Sequence, residues 1–106
     1  MLENEYKTKL AKKIKEDLPG SIVCHLNPNE HQGIPDLLIL NGDRWATLEG
    51  KKDAKSSHRP NQDYYVEKMN EMSFSSFIYP ENQEEVLNEL YKALQPRRKT
   101  RTTRSK

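Results

Sequence analysis

Over the first twenty residues, apolar side chains return at every fourth position, Leu2, Tyr6, Leu10, Ile14 and Leu18, among lysines and acids. This spacing follows one face of an amphipathic helix, which Pro19-Gly20 brings to an end. The pattern then tightens. Ser21 to Leu26 carries the β-branched Ile22 and Val23 ahead of Asn27-Pro28-Asn29, a strand entering a turn, and loop is expected as far as Gly33. Ile34 to Leu40 is apolar except at Asp36, and Asn41-Gly42 is a favoured tight-turn dipeptide, so Arg44 to Lys51 is expected to return as the partner strand of a hairpin. Helical spacing resumes at Pro60, a residue suited to a first turn, and puts Tyr65, Met69 and Met72 on one side of a helix ending near Ser73. Phe74 to Tyr79 reads as a short buried strand closed by Pro80. Val86, Leu87, Leu90, Tyr91 and Leu94 then give a last helix its apolar face, with Glu81, Glu84 and Glu85 in its N-terminal half and Pro96 beyond it. The predicted order is αβββαβα.

These elements fit one domain, since 106 residues are too few for two independent cores. The mean hydropathy of −1.05 is low, yet the apolar residues are gathered into periodic segments, and a modest core is expected. No stretch approaches the roughly 20 apolar residues of a bilayer span, and MLENEYKTK lacks the apolar segment of a secretion signal, so the expected location is cytoplasmic. The single Cys24, expected to be buried in a strand, has no partner for an internal disulfide. With His25, His31 and His58 it matches no common zinc-ligand spacing.

Charge divides the chain. The last eleven residues, PRRKTRTTRSK, hold six basic side chains and no acid, which leaves residues 1–95 with 12 basic and 16 acidic residues. A uniformly basic binding domain is excluded. The expected organisation is an acidic catalytic body over residues 1–95 and a disordered basic tail over residues 96–106 suited to phosphates.

The chemistry is expected at Asp36, Glu49 and Lys51. Residues two apart in a strand share a face, so Glu49 and Lys51 project together, and the hairpin brings Asp36 onto the neighbouring strand about 4.8 Å away. Two carboxylates this close repel unless a cation lies between them, and Mg²⁺ or Mn²⁺ is the natural choice for oxygen ligands and phosphodiester cleavage. Lys51 would stabilise charge developing at the phosphate. The competing interpretation is an ion-pair network tying strands together.

The runs GIPDLLIL, LEGKK and SSHRPNQDYY, taken together, resemble the VRR-NUC branch of the PD-(D/E)XK nuclease superfamily, from about residue 2 to residue 94. The resemblance implies a restriction-endonuclease-like α/β fold: an αβββαβ core with a mixed central sheet flanked by helices, plus a C-terminal helix. It also implies that Asp36, Glu49 and Lys51 fill the motif positions, that Gln62 stands beside the site, and that a Glu of the first helix joins the metal ligands. Glu3 is preferred over Glu5 because it lies nearer the core-facing stripe. Gly50 is a departure, since a β-branched residue is commoner between the Glu and the Lys, and it is expected to loosen the strand.

His31, Lys52, His58, Arg59, Arg97, Arg98 and Lys99 are candidate DNA contacts. Trp45 and Tyr64-Tyr65 are expected in core or interface rather than as base-stacking platforms. The implied activity is metal-dependent DNA cleavage selective for branched, Holliday-junction-like DNA, and paired cuts imply a homodimer. The alternatives are a non-catalytic nucleic-acid-binding module on the same fold, or a nuclease directed by a recombination or replication partner.

Overall fold

The computed structural model describes residues 1–96. They form α1 (Glu3–Asp17), β1 (Ile22–His25), β2 (Leu37–Asn41), β3 (Arg44–Gly50), α2 (Pro60–Met72), β4 (Phe74–Ile78) and α3 (Gln83–Ala93), with a 3₁₀ turn at Pro80–Asn82. Arg97, Arg98 and Lys99 lie outside the described residues. The sheet runs β1-β2-β3-β4; β1, β2 and β3 are antiparallel neighbours, and β4 lies parallel to β3. A parallel pair needs a crossover, which α2 supplies. The fold is therefore α/β with a mixed sheet, in the order the periodicity indicates. Among the described residues no helix is long and apolar enough to cross a membrane.

The core lies between the sheet and the α1/α3 pair. Leu10 and Ile14 of α1 and Leu90 of α3 are buried there, as are Leu37, Ile39, Ala46, Leu48 and Ile78 from the strands. The two-residue period of β3 sends Ala46 and Leu48 into this layer and Thr47 and Glu49 to the opposite face, under α2. There Thr47 donates to the Ser75 hydroxyl at 2.8 Å and also meets the Met69 sulfur.

Several details differ from the sequence reading. The hairpin turns on Gly42-Asp43, with Asn41 paired to Arg44, because Gly42 takes the positive φ of 62° at the first central position. Residues 34–36 stay outside β2, where Gly33 has φ 90° and Pro35 has no N–H to give a ladder. Leu2 precedes α1 and is exposed, and Met72 at the end of α2 is exposed as well, so α2 packs through half-buried Tyr65, Val66 and Met69. Glu81 belongs to the 3₁₀ turn rather than to α3. Cys24 is only half-buried, because it points away from the face where neighbouring Val23 meets the core. Trp45 and Tyr65 are half-buried and Tyr64 is exposed, its ring edge-on to that of Tyr65.

Candidate active site

The register of the β2–β3 hairpin fixes the site. Leu37 lies opposite Leu48, so one further step sets Asp36 beside Glu49 at the open end of the hairpin. Asp36 Oδ2 accepts the Gly50 N–H at 2.9 Å, while its backbone carbonyl accepts the Leu26 N–H at 2.7 Å. Both bonds hold the residue in place although it lies outside the strand. Glu49 is 2 % exposed, and Lys51, just past the end of β3, is also buried.

Gln62, in the first turn of α2, joins these groups. Its Oε1 accepts from the Lys51 ammonium at 2.9 Å and from the Arg59 N–H at 3.1 Å, and its Nε2 donates to Glu49 Oε2 at 3.2 Å. Lys51 Nζ also lies 3.9 Å from Glu49 Oε2. One amide therefore caps the helix and positions both an acid and a cation. Gly33 brings the loop before β2 against this helix start. A Cβ on Gly33 would come within 2.4 Å of Asn61 Cβ, a contact only glycine permits.

Electrostatics mark Glu49 as the strained member. Burial raises its pKa first and the Asp36 charge adds to it, with Lys7 and Lys51 pulling the other way, and the result is a value pushed up to about 8. The two ammonium groups do not fully offset the cost of burying this carboxylate beside another.

Lys7 of α1 was not singled out by sequence reasoning. Its ammonium donates to Asp36 Oδ1 at 2.9 Å and lies 3.2 Å from Glu3 Oε2. Burial disfavours its charge, but Asp36 and Glu3 outweigh that, and its pKa is raised. The one sequence signal was its i,i+4 spacing from Glu3, which puts both on one helix face. Glu5, in contrast, is exposed and accepts the Leu2 N–H.

Two adjoining cavities open onto these groups. One, of about 330 Å³, is lined by Glu3, Lys7, Asp36, Glu49, Arg59 and Gln62 among others; the second, of about 510 Å³, by Glu3, Lys51, Lys52, Ser56, Arg59 and Gln62. Shared walls make them one polar trough. Asp36, Glu49, Lys51, Gln62, Glu3, Lys52 and Arg59 thus gather in a single place. The two histidines lie apart from its walls: His58 stacks on Phe77 with ring centroids 3.8 Å apart and bonds Asp63 at 3.1 Å, and exposed His31 sits edge-on to Tyr65. Among the described residues no three His, Cys, Asp or Glu side chains form a ready metal cluster, and Glu3 meets Asp36 through the Lys7 ammonium. A larger cleft of about 580 Å³ between α1 and α3 has its Asp17 engaged by Lys13 and the Tyr91 hydroxyl.

No family model matches the sequence, and no curated protein matches it. Among solved structures the chain is similar to a "VRR_NUC domain protein", with a TM-score of 0.66 and 19% identity over 91% of this chain and 92% of that one. The chain therefore shares the α/β fold of that VRR_NUC domain protein, in agreement with the resemblance of its motifs.

Proposed function

We propose that this nuclease-fold chain is a divalent-metal-dependent endodeoxyribonuclease acting on phosphodiester bonds at the trough. The observation that carries this reading is the meeting of Asp36 and Glu49, an acid raised to about 8 by burial and by its neighbour, with Lys51 beside them. A buried carboxylate whose ionisation is opposed by burial and by a half-buried acid beside it fits a hard cation. Asp36 and Glu49 would hold Mg²⁺ or Mn²⁺, with Glu3 at the rim of the same cavity. Once bound, such an ion supplies Lewis acidity at a phosphate oxygen.

The chain's own groups do the remaining work. Lys51, fixed by Gln62, brings N–H donors to the place where a phosphoryl oxygen gathers charge. Lys52, Arg59 and Ser56 line the adjoining cavity, where flanking phosphates of the strand would lie. The basic residues Arg97, Arg98 and Lys99 extend this positive character along the sequence.

Branched DNA is the substrate class within this reading, and a homodimer its working form. The outer face of β1 and β2 supports the dimer: Ile22 is 56% exposed and its cross-strand partner Leu40 is 37% exposed, on the half of the sheet away from α2, which packs on β3 and β4. A second copy covering this face would bury apolar surface and pair the two sites by symmetry.

The test is cleavage of a labelled four-way junction, a linear duplex and a single strand, each with Mg²⁺, Mn²⁺ or EDTA. Metal-dependent cutting that Asp36→Asn and Lys51→Ala abolish is expected, with the junction cut fastest. Cutting in EDTA, or full activity in both variants, overturns the mechanism.

A further inference from the structure

The trough already holds a positive charge of its own, on a side chain that no catalytic motif calls for. Lys7 reaches from α1 across the end of β3, and its ammonium contacts Asp36 Oδ1 at 2.9 Å and Glu3 Oε2 at 3.2 Å. Its stem runs over residue 50, where a side chain would crowd it. A Cβ there would come 3.0 Å from Lys7 Cγ, 3.6 Å from Lys7 Cε and 3.7 Å from Asp36 Oδ2. The missing side chain of Gly50 and the extended stem of Lys7 are complementary, and the strand's N–H at the same residue bonds the other oxygen of Asp36. The arrangement is built rather than incidental, with 16% of the Lys7 side chain exposed.

We propose that Lys7 is an internal counter-ion of the cation site, which holds Asp36 and Glu3 in the metal-free protein and releases Asp36 when a divalent ion binds. The proposal rests on the reading of Asp36 and Glu49 as ligands. Its physical basis is that an ammonium and a divalent cation compete for one carboxylate, since each satisfies the same negative charge and both together repel. Occupancy by Lys7 keeps Asp36 and Glu3 from facing each other uncompensated, and it sets the metal concentration at which the site loads. Lys7 is on this account a positioning residue. It acts on the ligands and never on the phosphate.

The experiment is Mn²⁺ titration by calorimetry of wild type, Lys7→Met, Gly50→Ala and Asp36→Asn, without DNA. Lys7→Met keeps the stem and removes the charge, and it is expected to bind Mn²⁺ at least roughly tenfold more tightly than wild type. Gly50→Ala pushes the stem aside with the charge retained, and a smaller gain in affinity is expected. A lysine that only braced α1 would give equal or weaker binding in both variants. Displacement itself is read by ¹⁵N NMR of the Lys7 ammonium, whose N–H signal is slowed in exchange while it bridges Asp36 and Glu3, and which Mg²⁺ saturation is expected to release. A signal unchanged at saturation overturns the proposal. So does wild-type binding that Asp36→Asn abolishes but Lys7→Met fails to tighten, and this outcome leaves the cation site standing. If neither wild type nor Lys7→Met binds Mn²⁺, the cation site itself falls, and the proposal with it.

Discussion

The two faces of β3 are built to opposite rules. Toward α1 and α3 the strand presents Ala46 and Leu48, both fully buried in a layer made mainly of aliphatic side chains. Toward α2 it presents Thr47 and Glu49, which are as well buried, yet every one of them needs a polar partner: Ser75 for Thr47, Gln62 and Lys51 for Glu49. The first face yields stability from removal of apolar surface, and no residue of α2 is buried to match it on the second. The difference teaches that burial alone does not identify a stabilising position. Glu49 is shielded from water at a cost to the fold, and function has to account for it.

Substitutions on neighbouring residues separate the two faces. The largest effect is expected from Glu49→Gln and Asp36→Asn, each of which is expected to lower the cleavage rate by about a thousandfold or more through loss of a proposed metal ligand and of charge balance. Urea denaturation of metal-free Glu49→Gln at pH 8 is expected to show a midpoint equal to or above that of wild type, because the buried ionisable group is gone. A large loss of stability would erase the contrast between the faces. Leu48→Ala, one residue away, is expected to do the reverse: about 2–5 kcal/mol of stability lost to a core cavity, with residual activity tracking the folded fraction.

The pH dependence of stability sharpens the same comparison. In the unfolded chain Glu49 ionises near its ordinary 4.5, whereas the fold retains the proton until about 8. The unfolded state therefore sheds the proton first, and the contribution of this group, fully present below 4.5, is lost as pH rises toward 8. Metal-free protein should lose on the order of 1 kcal/mol per pH unit across this window from Glu49 alone. Chemical denaturation at stepped pH checks this, and Glu49→Gln should flatten the slope by that amount.

The smallest effect is expected from Gln62→Ala, which removes the amide linking Lys51 to Glu49 but touches no reacting atom. A drop in kcat of about tenfold is expected, with metal affinity little altered. Stopped-flow cleavage alongside Mn²⁺ calorimetry distinguishes this from a loss of metal.

Much of the molecule was legible from its pattern. The period-4 stripe of α1, the alternation in β3 and the Pro-bounded α2 each stem from local geometry, and the hairpin put Asp36 and Glu49 on neighbouring strands; a turn on Asn41-Gly42 would have set Asp36 opposite Thr47, and the turn on Gly42-Asp43 shifts the register to Glu49. Gln62 and Glu3 were reachable through resemblance, and the fold places both on the trough. Lys7 was not, because it is one of several lysines on α1, and its selection depends on where the helix crosses the end of β3. Gly50 looked like a loosened strand, and only the three-dimensional arrangement reveals a neighbour filling its space. The stacking of His58 on Phe77 was out of reach as well, since that ring comes from a strand nearly twenty residues further along. Contacts set by tertiary packing leave no periodic trace.

The doubly used oxygen of Gln62 has one more implication. Because it accepts both the Arg59 N–H and the Lys51 ammonium, the opening turn of α2 and the tip of β3 are latched together. Helix ends fray long before a domain melts. Gentle warming is therefore expected to unlatch Lys51 while the apolar layer beneath α1 and α3 is still intact, and the proposed cleavage is expected to fade at a lower temperature than the one at which the molecule unfolds.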